Sequence, residues 1–109
     1  MTQAPRIEEV AMAQYTIRVE LHGTGFNDAA YQRLHAAMEA RGFERTIRDA
    51  QTGIVYWLPP AEYILVTAET DRRQICTLAE QGAATTGYQY SVLVTGPATC
   101  MWTNLEQQR

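Results

Sequence analysis

Lysine is absent from this 109-residue chain, and all nine of its basic side chains are arginines. Arginine suits bidentate contacts with phosphate or carboxylate groups. Twelve acidic residues nevertheless outnumber the nine arginines, and the formal net charge is −3. This balance argues against strong, sequence-independent binding to nucleic acid, which relies on an excess of basic residues. The arginines alone therefore do not identify a partner.

Long apolar runs are also missing from the sequence. No segment approaches the roughly 20 consecutive apolar residues that a membrane span requires. The first residues, MTQAPRIEEVAMAQ, lack the basic start and the apolar run of a secretory signal. We therefore expect a cytoplasmic protein that does not bind a membrane.

Cysteine is scarce, with only Cys76 and Cys100 in the chain. The two residues are far apart and lack the close spacing of metal-binding cysteines. We interpret both as buried or idle thiols, as expected in a reducing compartment. The acidic residues do not cluster in a way that predicts a metal site either, and we expect no cofactor.

The remaining composition is that of one ordinary globular domain. Apolar residues make up 46% of the chain and charged residues 19%, which argues against disorder. A domain of this length buries roughly two-thirds of the surface of its unfolded chain. We predict a flexible N-terminal tail at 1–12, a folded domain at 13–98 and a C-terminal tail at 99–109.

The first half of the domain has a clear strand and a clear helix. Residues 14–22 read QYTIRVELH, and their apolar and polar side chains alternate, which is typical of a half-buried strand. Residues 28–41 have apolar side chains at helical spacing, and Asn27 or Asp28 can cap the first amides. Gly42 suits the left-handed position that follows a helix.

The rest of the domain predicts further strands at 43–48, 54–58, 63–67 and 88–95, and a helix from Thr70 or Asp71 to about residue 86. Pro59 and Pro60 interrupt the third strand, because proline cannot donate to a ladder. Two helices on one face of a four-stranded antiparallel sheet would bury both apolar stripes. We predict an α+β fold, a ferredoxin-like βαββαβ sandwich with a central first strand and one helix-free sheet face.

Four segments, YTIRVELHG, YQRLHAAMEARGF, VYWLPPAEY and YSVLVT, resemble a family of short bacterial proteins. This family is grouped with the GhoS-like endoribonuclease antitoxins of type V toxin–antitoxin systems. The resemblance extends from Tyr15 to Thr95 and covers most of the chain. It implies a ferredoxin-like fold related to small CRISPR-associated endoribonucleases. It also implies an antitoxin that cleaves the messenger RNA of its toxin.

Candidate catalytic residues lie on the polar side of the first predicted strand, at Arg18, Glu20 and His22. A metal-free ribonuclease needs a base for the 2′-hydroxyl proton and a cation for the charge that develops on phosphorus. His22 or Glu20 can be the base, and Arg18 the cation. Alternatively, Arg18 and Glu20 form a solvated charge pair and His22 lies at a loop edge. We interpret His35, in the first helix, as a boundary residue.

Candidate RNA-binding residues are Arg45, Arg48 and Trp57. The arginines can contact phosphates, and Trp57 can stack on an unpaired base, an interaction worth ~1–3 kcal/mol where it occurs. Alternatively, nearby acidic residues neutralise the arginines, and Trp57 serves core packing or a dimer contact.

Two hypotheses about function follow from these residues. The first is an antitoxin-type endoribonuclease that acts on RNA as a homodimer. The second is a non-catalytic inhibitor or regulatory module that binds a protein partner or its own copy, through the helix-free sheet face or as a homodimer.

Overall fold

The computed structural model describes residues 11–109 of the chain. The predicted N-terminal tail at 1–12 therefore lies outside the described residues, apart from its last two. The elements, in chain order, are β1 (Ala13–Leu21), α1 (Ala29–Glu39), β2 (Thr46–Arg48), β3 (Val55–Trp57), β4 (Glu62–Thr67), α2 (Arg72–Ala84) and β5 (Tyr90–Thr95). The named strand pairs are all antiparallel, and the predicted α+β class is confirmed.

The strands form two sheets where the prediction had one sheet of four strands. Three strands pair in the order β4-β1-β5, and β2 pairs with β3 in a separate hairpin. The division follows Pro59 and Pro60, which cannot donate to a ladder, and Ala61, whose φ of 68° is unusual for a residue other than glycine. One isolated bridge, between Glu44 and Ile64, joins the hairpin side to β4. The central position of the first strand is confirmed.

Both helices begin at aspartate caps, so that of the predicted alternatives Asp28 caps the first helix and Asp71 the second. The side chain of Asp28 accepts a hydrogen bond from the Ala30 amide, and the side chain of Asp71 accepts one from the Arg73 amide. These bonds satisfy amides that have no partner within the helix. The end of α1 also follows the prediction, because Gly42 has a φ of 91°.

The main core lies between the helices and one face of the three-stranded sheet. Alternate residues of β1 are buried, and the core also contains residues of both helices and of β4: Tyr15, Ile17, Val19, Leu21, Tyr31, Leu34, Met38, Tyr63, Leu65, Ile75, Ala79 and Ala83. The other face of β1 carries its polar residues. The alternation of the first strand therefore determines which side chains are available for chemistry.

Gly82 of α2 packs directly against the C-terminal end of α1. A Cβ atom at this position would lie 2.8 Å from Sδ of Met38 and 3.5 Å from Cδ of Arg41. These neighbours belong to α1 and the turn that follows it. The glycine therefore serves helix–helix packing.

The C-terminal segment, residues 98–108, runs back along the domain and contacts it in several places. The amide of Ala98 donates to the carbonyl oxygen of Gln14, and Sγ of Cys100 lies 3.3 Å from Oγ1 of Thr16. The ring of Trp102 packs against Tyr56, with 5.7 Å between centroids. The contacts with Gln14 and Thr16 place the segment over one end of the helix-free face. The other end remains exposed.

Beyond Trp102, the segment pairs with the outer edge of β3. The amide of Trp57 donates to the carbonyl oxygen of Glu106, and the amide of Gln108 donates to that of Val55. These bonds flank an antiparallel bridge between Tyr56 and Gln107. The hairpin is thereby extended by a short third chain segment.

Candidate functional site

The three candidate catalytic residues are exposed on the uncovered end of the helix-free face. Arg18, Glu20 and His22 follow one another along the polar side of β1 and its immediate extension. In the strand register, Arg18 is opposite Leu93 and Glu20 is opposite Ser91, both on β5. The sequence pattern thus places the three side chains on one surface, and the pairing with β5 supplies their neighbours.

His22 makes a hydrogen bond that the sequence did not predict. Its Nε2 atom lies 2.8 Å from Oγ of Ser91, and the same Nε2 atom lies 4.0 Å from Oε1 of Glu20. The first distance is that of a hydrogen bond, whereas the second is too long for one. Ser91 therefore fixes the ring through direct contact, and Glu20 provides a negative charge nearby.

Ser91 was missed because its role depends on pairing between distant strands. The only sequence signal was its place on the polar side of the last strand, between Tyr90 and Val92. The same pairing extends past β1, since the amide of His22 donates to the carbonyl oxygen of Gln89 at 2.8 Å.

A shallow surface depression of about 210 Å³ lies beside this pair and is lined by Arg18, Glu20, Ser91, Val92 and Leu93. On the side of β1 that pairs with β4, Arg18 is opposite Glu62 in the strand register. The depression brings together the guanidinium of Arg18, the carboxylate of Glu20 and the hydroxyl of Ser91. The imidazole of His22 is hydrogen-bonded to that hydroxyl. This set can hold an anionic group and transfer a proton.

The candidate RNA-binding residues lie in other places on the surface. The Arg45 guanidinium lies over the ring of Trp57, 5.2 Å from its centroid. This pair lines two shallow depressions, one of which also contains Pro59 and Pro60. Nη1 of Arg48 donates to the carbonyl oxygen of Gly53 in its own hairpin turn. The structure therefore brings Arg45 and Trp57 together, but none of the three lines the depression beside Arg18.

His35 is buried, so its interpretation as a boundary residue is wrong. Its side chain is 7% exposed, and its Nδ1 atom lies 2.7 Å from the hydroxyl oxygen of Tyr63. Burial, with a smaller contribution from the Arg45 charge, lowers the pKa of His35 to about 4. Burial also raises the pKa of Tyr63 above its ordinary value. The two side chains form a neutral pair in the interior of the domain.

Metal ligands and thiol pairs are not found in the described part of the chain. Across residues 11–109, no three side chains of His, Cys, Asp or Glu gather where they could hold a metal ion. Cys76 and Cys100 are both free thiols. Burial, reinforced by the neighbouring Glu80 carboxylate, raises the pKa of the Cys76 thiol, which disfavours its reactive thiolate form.

Neither described helix is long and apolar enough to cross a membrane.

Comparison with protein-family models, with curated proteins and with solved structures found no match for this chain. The chemistry of the exposed sheet surface is therefore the basis on which a function can be inferred.

Proposed function

We propose that this protein is a small cytoplasmic endoribonuclease of the antitoxin type, which cleaves the messenger RNA of a toxin without a metal ion. The observation that carries the proposal is the hydrogen bond between His22 and Ser91 beside Arg18 and Glu20 on an exposed sheet face. The resemblance to GhoS-like antitoxins is in accord with it. The proposal keeps the ferredoxin-like fold. In that fold, β3 and β4 together are one strand of a four-stranded sheet, and this strand is interrupted at Pro59 and Pro60.

His22 is the general base of this mechanism. When Nε2–H donates to Oγ of Ser91, Nδ1 keeps the lone pair that accepts the proton of the ribose 2′-hydroxyl. The Glu20 carboxylate, 4.0 Å from Nε2, then stabilises the positive charge that the ring acquires. Between the two candidate bases, this geometry favours His22 as the base and Glu20 as its electrostatic support.

Arg18 stabilises the negative charge that develops on the phosphate. The 2′ oxygen attacks phosphorus and forms a new P–O bond, the bond from phosphorus to the 5′ oxygen breaks, and the leaving 5′ oxygen takes a proton from water. The guanidinium can donate two parallel hydrogen bonds to the phosphate oxygens. Because Arg18 and Glu20 line the same depression, the cation lies near the group that supports the base.

The pair of Arg45 and Trp57 is the proposed second contact with RNA. A guanidinium held against an aromatic ring offers hydrogen-bond donors for phosphate beside an apolar surface for a base. Arg48 uses one nitrogen on Gly53, but a guanidinium has five N–H donors. The chain has a net charge of −3, so such contacts give transient, selective binding.

The proposal is tested by incubating labelled RNA with the purified protein in EDTA. Arg18→Ala should lower the cleavage rate by about 10²–10³-fold, the usual loss when a charge-stabilising donor is removed. The control is Arg33→Ala, which removes an exposed arginine of α1 and should cleave RNA as the unmodified chain does. Equal activity of all three proteins would refute the assigned site.

A second function, a non-catalytic module that binds a protein partner, is favoured by one observation. Leu93 is 59% exposed at the margin of the same depression, and an exposed apolar side chain next to charged groups is common at protein contacts. Specific retention of a protein partner by this surface, with no RNA cleavage under any condition, would favour this function over the first.

A further inference from the structure

The outer edge of β5 offers unpaired backbone groups to another strand. β5 lies at one end of the order β4-β1-β5, and the amide of His22 donates to the carbonyl oxygen of Gln89. Since backbone groups of an antiparallel strand alternate in direction, residues 91, 93 and 95 also face β1. The N–H and C=O groups of Tyr90, Val92 and Val94 face outward. No other backbone pairing of these three residues occurs within residues 11–109.

β5 lacks the features by which exposed edges avoid pairing. Its sequence, YSVLVT, contains no charged residue, proline or glycine, whereas protected edge strands use charges, prolines and bulges. The far side of β4 differs, because Glu44 already bridges to Ile64 there. The unprotected edge of the three-stranded sheet is therefore that of β5.

We propose that β5 pairs with β5 of a second copy of this chain, so that two sheets join into one of six strands. A two-fold axis at Val92 makes the outward-facing groups of Val92 meet those of the partner's Val92. Tyr90 is then opposite the partner's Val94, an aromatic and β-branched pair that favours antiparallel pairing.

The helix-free side of this junction is also self-complementary. Ser91 lies opposite the partner's Leu93, and the two-fold axis repeats the same pair on the other side. No charged residue of β5 meets a like charge, because the strand has none. Leu93, which is 59% exposed in the single chain, is covered by the pairing. These features make a second copy of this chain the binding partner that fits the outer edge of β5.

One consequence of this pairing rests on the proposed function. Because Ser91 holds His22 at 2.8 Å, the partner's Leu93 lies next to the hydrogen bond that orients the base. The second copy thus adds an apolar wall to the catalytic depression. The dimer itself depends only on the geometry of β5 and stands without the ribonuclease activity.

Sedimentation velocity of the full chain tests the interface. The unmodified protein should sediment as a dimer, and Leu93→Glu should sediment as a monomer because it places two carboxylates in the junction. The control is Val66→Glu, which alters a similarly exposed side chain (53%) of the same face on β4 and should remain dimeric. A monomer at every concentration of the unmodified protein, or equal effects of the two substitutions, overturns the proposal.

A second variant separates loss of the interface from loss of the fold. Ser91→Lys combined with Leu93→Glu places a lysine opposite each new glutamate across the two-fold axis, and the dimer should return. Failure of this double variant to dimerise, while its circular dichroism remains native, counts against the proposed register. The interface can fail while RNA cleavage persists, and cleavage can be absent while the dimer forms, so the two proposals are judged separately.

Discussion

Oγ of Ser91 lies 2.8 Å from Nε2 of His22, although the two residues are 69 positions apart in the chain. The contact arises because β5 pairs with β1 in a register that sets Ser91 opposite Glu20. The orientation of the imidazole is therefore a property of the sheet.

Removal of the Ser91 hydroxyl should slow RNA cleavage without changing the fold. We expect Ser91→Ala to lower the rate by about fivefold, since one orienting hydrogen bond is worth about 1 kcal/mol. Ser91→Thr keeps the hydroxyl and should retain most of the activity. Thr95→Ala, on the same face of β5, is the matched control. Equal rates for Ser91→Ala and the unmodified chain, or equal losses for the alanine and threonine variants, would contradict the role of this bond.

Burial of His35 predicts a loss of stability in mild acid. Its pKa is lowered to about 4 in the folded chain from about 6.5 in an unfolded one, so the unfolded state binds the proton first as pH falls. The stabilising contribution is complete above about pH 6.5 and declines as pH falls toward about 4. The loss should reach about 3 kcal/mol, at about 1.4 kcal/mol for each pKa unit. Chemical unfolding measured across this pH range tests the slope.

His35→Gln is the control for this titration. Glutamine can still form a hydrogen bond with the Tyr63 hydroxyl, but it has no charge to gain. The variant should therefore show a shallower decline of unfolding free energy over the same range. A slope unchanged from that of the parent chain would mean that other groups cause the acid sensitivity.

Gly82→Ala should destabilise the domain, although alanine is the better helix former. The substitution gains about 1 kcal/mol of helix propensity, but its Cβ would lie 2.8 Å from Sδ of the fully buried Met38, and overpacking typically costs about 1–3 kcal/mol. We expect a net loss of about 1 kcal/mol in thermal or chemical unfolding. In a Met38→Ala background the sulfur is absent, and Gly82→Ala should then stabilise. The same sign in both backgrounds would refute this packing explanation.

Trp102 should anchor the C-terminal segment to β3. Its ring packs against Tyr56, and an aromatic pair contributes about 0.5–1.5 kcal/mol beyond its buried area. We expect Trp102→Ala to increase amide exchange at Trp57, whose amide donates to Glu106. Met101→Ala is the adjacent control, because that side chain is 97% exposed. Unchanged protection of the Trp57 amide in Trp102→Ala would show that the segment is held by other contacts.

Local patterns predicted the parts of the fold that depend on neighbouring residues. The alternation in β1 identified its buried face. The cap candidates at positions 27 or 28 and 70 or 71 identified both helix starts to within one residue. The prolines at 59 and 60 predicted an interruption in the third strand. They did not reveal that the sheet divides there. The division depends on the number of backbone hydrogen bonds between β4 and the chain around β2, where a single bridge joins Glu44 to Ile64.

Long-range contacts explain what the sequence did not reveal. His35 lies one position from the apolar Leu34, and the Tyr63 hydroxyl that contacts Nδ1 of its buried ring is 28 positions away in the chain. The common surface of Arg18, Glu20 and His22 could be predicted from the alternation in β1. The contact of Ser91 with His22 could not, because it depends on the register between β1 and β5. The course of the C-terminal segment likewise depends on contacts with Thr16 and Tyr56, which no local pattern encodes.

The chemistry of the cleaved ends tests the central claim most directly. An RNA oligonucleotide and its DNA counterpart are incubated with the protein in EDTA, beside His22→Gln as the variant without the base. Transesterification through the 2′ oxygen predicts that RNA alone is cut, with a 2′,3′-cyclic phosphate and a 5′-hydroxyl at the break. The His22→Gln variant should be slower by about 10²–10⁴-fold, the usual contribution of a general base. Cleavage of the DNA, 5′-phosphate ends, or full activity of His22→Gln would contradict the proposed mechanism.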